Sequence, residues 1–198
     1  MIVKIVCAST NSFSRLYNKD DDEFIIGCDG GCKVLEDLNI NYDLALGDFD
    51  SFSESLINPN ITKIKFKSEK DESDLELALD YALKLDPEKI LIYNATGKRI
   101  DHLLASINLL KKYKNSTIII LDEDNDISVS GSSTFSQNDY KYISFFSIAE
   151  ETVISLRGFK YNLDNYHLSQ QDSLCLSNEI INEGYLITNK EVLVIKSR

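Results

Sequence analysis

One change of rhythm, near residue 122, constrains this chain more than any single segment does. Before it, short β-branched runs at 2–7, 24–28, 64–66, 90–93 and 117–121 alternate with stretches of helical period. The clearest of these stretches opens at Ser73, a capping residue, and sets Leu75, Ala78, Leu79, Ala82 and Leu83 on one stripe before Pro87 stops it. A second runs over 101–113, with Leu103, Leu104, Ile107 and Leu110 inward and Lys111, Lys112 and Lys114 at its carboxyl end, where the helix dipole favours cations. Alternation of this kind implies a parallel sheet covered by helices on both faces.

After an acidic, serine-rich bridge over 122–138 the period falls to two, in YKYISFFSI, TVISLRGFKY, SLCLS, GYLIT and EVLVIKS. Turn residues separate these runs at 162–165, 170–172 and 189–190, as short antiparallel strands require. The expected fold class is therefore α/β. An N-terminal, mostly parallel Rossmann-like sheet with helices on both faces should occupy residues 1–125, and a C-terminal antiparallel β-sandwich residues 126–198.

The formal net charge of −11 makes the average surface repel nucleic-acid phosphates and anionic lipid, so neither a nucleic acid nor a membrane is an expected partner. No apolar run approaches the length of about 18 residues that a membrane span needs. The opening MIVKIVCAST reads as a strand and not as an export leader, and a cytoplasmic protein is expected. Cys7, Cys28, Cys32 and Cys175 form no C-x-x-C pair and read as reduced, mostly buried thiols. In that setting the N-x-S/T triplets at Asn60, Asn94 and Asn115 carry no weight.

Neither G-x-G-x-x-G nor the Walker P-loop pattern occurs, so a bound nucleotide must be held another way. Three segments remain. GDFDS, at 47–51, follows the apolar pair Leu44 and Leu46; in an extended conformation Asp48 and Asp50 project to one side with the reach a hard divalent cation needs. Other D-x-D pairs, at Asp20/Asp22, Asp122/Asp124 and Asp124/Asp126, read as solvated loops. KDESD, at 70–74, opens the strong helix, where Asp71 and Asp74 either cap free N–H groups or complete a magnesium ligand set. TGKRIDH, at 96–102, joins a strand to a helix, and its Arg99 offers a planar fork to phosphate oxygens. Asp101 suits an N-cap as well as a ligand or base, and His102 a structural hydrogen bond as well as a site.

Taken in order, GDFDS, KDESD with LELAL, and TGKRIDHLLAS, with CDGGCKVL upstream and RGFKYNL and LSNE downstream, resemble the thiamine pyrophosphokinase family over nearly the whole chain. The family pattern has Gly where Lys98 stands and Thr where Ser73 stands. The resemblance implies transfer of pyrophosphate from ATP to the hydroxyethyl group of thiamine, with Mg2+ as cofactor, in a homodimer. It implies Asp48, Asp50 and Asp74 as metal ligands and catalytic residues, with Arg99 and Asp101 in the phosphate and acceptor region. Asp29, Lys70, Asp71, Arg99 and His102 fall on the ATP side, and Ser177 and Asn178 in the thiamine-binding segment. Phe159, Tyr161 and Tyr166 are candidates to sandwich the thiamine rings, although each fits a core position equally. Two rivals stand beside this reading. A metal-dependent phosphoesterase would want several His ligands where this chain has only His102 and His167. A non-catalytic thiamine or nucleotide sensor would carry a broken carboxylate set.

Overall fold

Val3, Ile5 and Val6 of strand β1 (Ile2–Val6) are wholly buried, as the middle strand of a parallel sheet must be. Lys4 interrupts this apolar run and is wholly buried too. Its ammonium donates to Glu23 Oε2 at 2.5 Å, lies 2.7 Å from the Asp20 carboxylate and sits over the Tyr17 ring. A buried charge is tolerable there because it is paired and hydrogen-bonded. The structure is a computed structural model describing residues 1–50, 52–67, 69, 71–137 and 139–198. It divides into two compact units, Met1–Leu109 with Thr117–Glu123, and Leu110–Ser116 with Asp124–Arg198.

In the first unit β1 is followed by α1 (Phe13–Leu16), β2 (Glu23–Cys28), α2 (Gly31–Asp37), β3 (Leu44–Gly47), a 3₁₀ turn (Glu54–Leu56), β4 (Thr62–Lys65), α3 (Asp74–Leu83), β5 (Lys89–Tyr93), α4 (Ile100–Lys112) and β6 (Ile118–Leu121). The strands are parallel, in the order β4-β3-β2-β1-β5-β6. The chain steps outward from β1 to β4 and then returns to place β5 on the other side of β1. The gap between β1 and β5 is therefore the topological switch point, outside whose carboxyl ends open sheets bind ligands. Helix α3 begins where the capping pattern predicts: Ser73 Oγ accepts the Glu76 N–H at 3.2 Å, and Ala78, Leu79 and Ala82 are buried.

Helix α4 differs from expectation in one face, because Leu104 is 56% exposed. Short α2 left no periodic signal, since seven residues bury only Gly31, Cys32 and Leu35. Among the described residues no helix is long and apolar enough to cross a membrane.

The second unit contains β7 (Asn125–Ser130), β8 (Ser133–Ser136), β9 (Tyr142–Ser147), β10 (Thr152–Phe159), β11 (Leu163–Leu168), β12 (Ile180–Thr188) and β13 (Val192–Ser197). Antiparallel β7-β13-β9 packs on antiparallel β11-β10-β12-β8, with Ile143, Phe145 and Val194 from one layer meeting Ile154, Leu156, Phe159 and Leu186 from the other. Three details correct the sequence reading. The bridge over 122–138 contains β7 and β8, whose polar residues pair in register with β13 and β12. The turn expected over 162–165 lies largely in β11, where Asn165 takes a positive φ of 45° inside a bulge and its N–H finds Ser155 Oγ at 2.8 Å. SLCLS is a turn, not a strand, and only its cysteine is buried. In the first two cases pairing with another strand overrides the local period.

Candidate active site

Strands β2 and β3 run in register, with Cys28 opposite Leu46, so the residues that follow them leave the sheet side by side. Asp29 turns away from β2 at a φ of 47°, and its N–H donates to Leu46 O at 2.7 Å. Gly47 makes this approach possible: a Cβ at that position would meet Asp29 Cα at 3.0 Å and push the two strand ends apart. Asp48 follows directly, and Asp74 is the first residue of α3. Asp29, Asp48 and Asp74 each offer a carboxylate oxygen, all within 4.8 Å of one another, and all three are partly buried. Three like charges so placed repel, and a hard divalent cation is the natural counter-charge, since its preferred donors are carboxylate oxygens. The donor set fits magnesium.

Asp50 does not join this trio. Phe49 between the two acids is buried with a φ of 58°, so the segment is not extended. Asp50 is exposed instead and donates its N–H to Asp48 Oδ1 at 3.1 Å, which orients the Asp48 carboxylate. It faces a neighbouring cavity of about 670 Å³ with Lys65, Phe66 and Lys67. Asp71 is exposed and lines neither cavity; Lys70 and Ser51 lie outside the described residues.

The trio opens into a cavity of about 1140 Å³ at the switch point, roomy enough for a nucleotide. Residues 8–11, after β1, form one wall, the start of α3 another, and His102, Ala105, Ser106 and Leu109 of α4 a third, at helical spacing. Both α3 and α4 direct their amino termini toward it, so their dipoles favour anionic ligands. Cys7 and Cys28 also line it, and the hydrogen bond between their thiols, with burial, holds Cys28 well above the ordinary thiol pKa. Cys28 is thus protonated at neutral pH and unsuited to be a nucleophile.

At the rim, Arg99 grips Asp101 through Nε, which donates to Oδ1 at 2.9 Å and Oδ2 at 3.2 Å, and Nη2, which donates to Oδ2 at 2.6 Å, with both side chains exposed. The guanidinium holds the Asp101 carboxyl well below the usual carboxylate range. Asp101 lies within the first turn of α4, not at its cap. Lys98, where the family pattern has Gly, has no positive φ and needs none. Asn94, absent from the candidate list, is wholly buried beside this cavity, and its only sequence signal was an asparagine at a strand end.

Ser177 and Asn178 lie in the second unit. Ser177 is exposed at a φ of 54°, and its N–H donates to Ser144 Oγ at 2.9 Å. Asn178 is buried: Oδ1 accepts the N–H groups of Tyr161 and Glu179, at 3.0 and 2.9 Å, and Nδ2 donates to Tyr161 O at 2.7 Å. It fastens the loop that presents Ser177. Among the aromatic candidates, Phe159 is core, edge-on to Phe145 at 5.7 Å, Tyr166 is partly buried against that core, and Tyr161 is 62% exposed.

Comparison with known proteins gives the same two parts. Residues 15–121 match the family model described as "Thiamin pyrophosphokinase, catalytic domain", and residues 132–194 the model described as "Thiamin pyrophosphokinase, vitamin B1 binding domain". The chain is 38% identical over 188 residues to the thiamine pyrophosphokinase of Bacillus subtilis, covering 89% of this chain and 87% of that one. The crystal structure of the Bacillus subtilis thiamine pyrophosphokinase superposes with a TM-score of 0.90 at 32% identity, covering 100% of this chain and 99% of that one. The Geobacillus thermodenitrificans thiamin pyrophosphokinase superposes with a TM-score of 0.89, also at 32% identity, covering 100% and 98%.

Proposed function

The chain belongs to the thiamin pyrophosphokinase family, and from that membership we infer that it transfers a pyrophosphoryl group from ATP to the hydroxyl of thiamine, giving thiamine pyrophosphate and AMP. The observation that carries the site assignment is the convergence of Asp29, Asp48 and Asp74, from the ends of β2 and β3 and the start of α3, within 4.8 Å in a cavity that two helix amino termini face. ATP occupies that cavity with its polyphosphate toward the trio. When bound there, magnesium neutralises charge on the phosphate oxygens.

The thiamine oxygen forms its bond to the β-phosphorus as the bond from that phosphorus to the α,β-bridging oxygen breaks; AMP leaves with the electron pair, and the hydroxyl proton passes to solvent. Such a step needs positioning and charge stabilisation and no covalent nucleophile on the protein. Arg99 exchanges its exposed Asp101 partner for phosphate oxygens. Asp101, with its carboxyl held low by Arg99, is a weak base, so its part is to aim the guanidinium. Asp50 orients Asp48 through its N–H, and His102 offers a ring nitrogen from α4 to the nucleotide.

Residues 1–125 form the ATP and metal domain in this reading, and 126–198 the thiamine-binding and dimerisation domain, with Ser177 contacting thiamine and Asn178 holding its loop. The outer face of β12 leaves Ile181, Tyr185 and Ile187 at 54%, 43% and 49% exposure, an apolar strip suited to a second copy in a cytoplasmic homodimer. Incubation with ATP, Mg2+ and thiamine tests the function: one AMP per phosphorylated thiamine is expected, and ADP or free phosphate in its place would overturn it.

A further inference from the structure

Asn94, the first residue after β5, is wholly buried with a φ of 57°, a conformation asparagine tolerates better than most residues. Among the described residues its side chain bonds the segment that leaves β1. Oδ1 accepts the Ser12 hydroxyl at 3.0 Å and the Phe13 N–H at 2.9 Å, Nδ2 donates to Cys7 O at 3.3 Å, and the Asn94 carbonyl accepts the Ser9 N–H at 2.9 Å. Between those anchors lie residues 8–11, which form a wall of the large cavity. Gly97 presses on the same wall: a Cβ there would stand 2.5 Å from Ser9 O. The carboxylate trio opposite is carried by β2, β3 and α3, so no bond of Asn94 supports the metal ligands themselves.

We infer that Asn94 is a positioning residue for the nucleotide, clamping residues 8–11 so that ATP meets a preformed wall. The inference rests on the reading that ATP fills this cavity. A buried amide spent wholly on one loop, when that loop borders a ligand site, acts by removing the loop's freedom before the ligand arrives. Its loss therefore weakens ATP binding and leaves the chemical step alone, because the reacting phosphates are held from the other side.

Asn94→Gly keeps the positive φ and deletes the side-chain bonds. At saturating thiamine its KM for ATP should rise roughly tenfold, with kcat within about twofold of wild type and the thiamine KM unchanged. Asn94→Asp, which keeps the acceptor, should recover part of the rise. Ser12→Ala, which removes one donor away from the cavity lining, should shift the ATP KM the same way by a smaller factor, so the inference is readable even where Asn94→Gly folds poorly. Loss of folded protein alone would lower apparent kcat and leave both KM values in place; that pattern, or an unchanged ATP KM, would overturn the inference. Calorimetric titration with Mg·ATP reads the same clamp without turnover. A wild-type chain that binds ATP and forms no AMP breaks the functional reading instead, while equal ATP affinity in wild type and Asn94→Gly breaks this one.

Discussion

Beyond β2 and β3 and at the start of α3 the first unit clusters three carboxylates at a cavity, whereas in the second unit the buried amide of Asn178 turns inward and closes three bonds on neighbouring backbone. The first arrangement gathers like charge where a cation can bind. The second is complete in itself. The contrast teaches where to look for function in a fold of this kind: an amide bonded to its own loop holds shape, and like charges gathered at a cavity suit a ligand. Asn94 belongs with Asn178 by its bonding, yet it lies beside the cavity, so the shape it holds is the site's.

The sharpest way to break the contrast is to remove one charge from the trio. Asp48→Asn and Asp74→Asn should each lower the rate of AMP formation by about 10²–10³-fold, the scale on which single transition-state contacts act. Their thermal midpoints should stay level or rise, because a like-charge repulsion has been relieved; near-normal turnover in both would place the metal elsewhere. Asn178→Ala should behave oppositely. It strands the Tyr161 N–H and C=O and should cost about 2–3 kcal/mol of stability, with the ATP KM unchanged, as read by denaturation and by initial rates.

Between these extremes lies the rim pair. Arg99→Ala should raise the ATP KM roughly tenfold. Asp101→Asn should leave the thermal midpoint at pH 7 nearly unmoved, since both partners are solvent-exposed. The sign of its pH dependence follows from the depressed carboxyl: the pairing contributes above the ordinary aspartate range and is lost only as pH falls through the lowered value, so no change from this pair should appear between pH 5 and 8. The smallest effect concerns the thiols. Burial pushes Cys32 up to about 12 and Cys175 up to about 11, so iodoacetamide at pH 8 should spare both while labelling the partly exposed Cys7, and ATP should slow that labelling. Peptide mass spectrometry gives the order of modification.

Much of this was legible before any coordinates. The helix beginning after Ser73, the strand preceding GDFDS and the alternating strands after residue 140 follow from periods and caps that act over a few residues. The candidate list already held all three carboxylates of the trio, with Asp29 on the nucleotide side. Its partnering was another matter: Asp48 and Asp50 read as a pair on an extended strand, and the left-handed turn at Phe49 parts them. Likewise the NDISVS and LDNYHL segments read as bridge and turn because their polar residues dominate a local count, and they are strands because β13 and β10 offer them a ladder.

Sequence alone therefore determined the layers, the helix starts and the stock of oxygen donors, since hydrophobic period and capping are short-range. The tertiary structure decided which donors meet and which amide guards the wall, because both depend on sheet order. Only the return of β5 to the far side of β1 brings Asn94 against residues 7–13, more than eighty positions away, and only the alignment of β2 with β3 sets Asp29 beside Asp48.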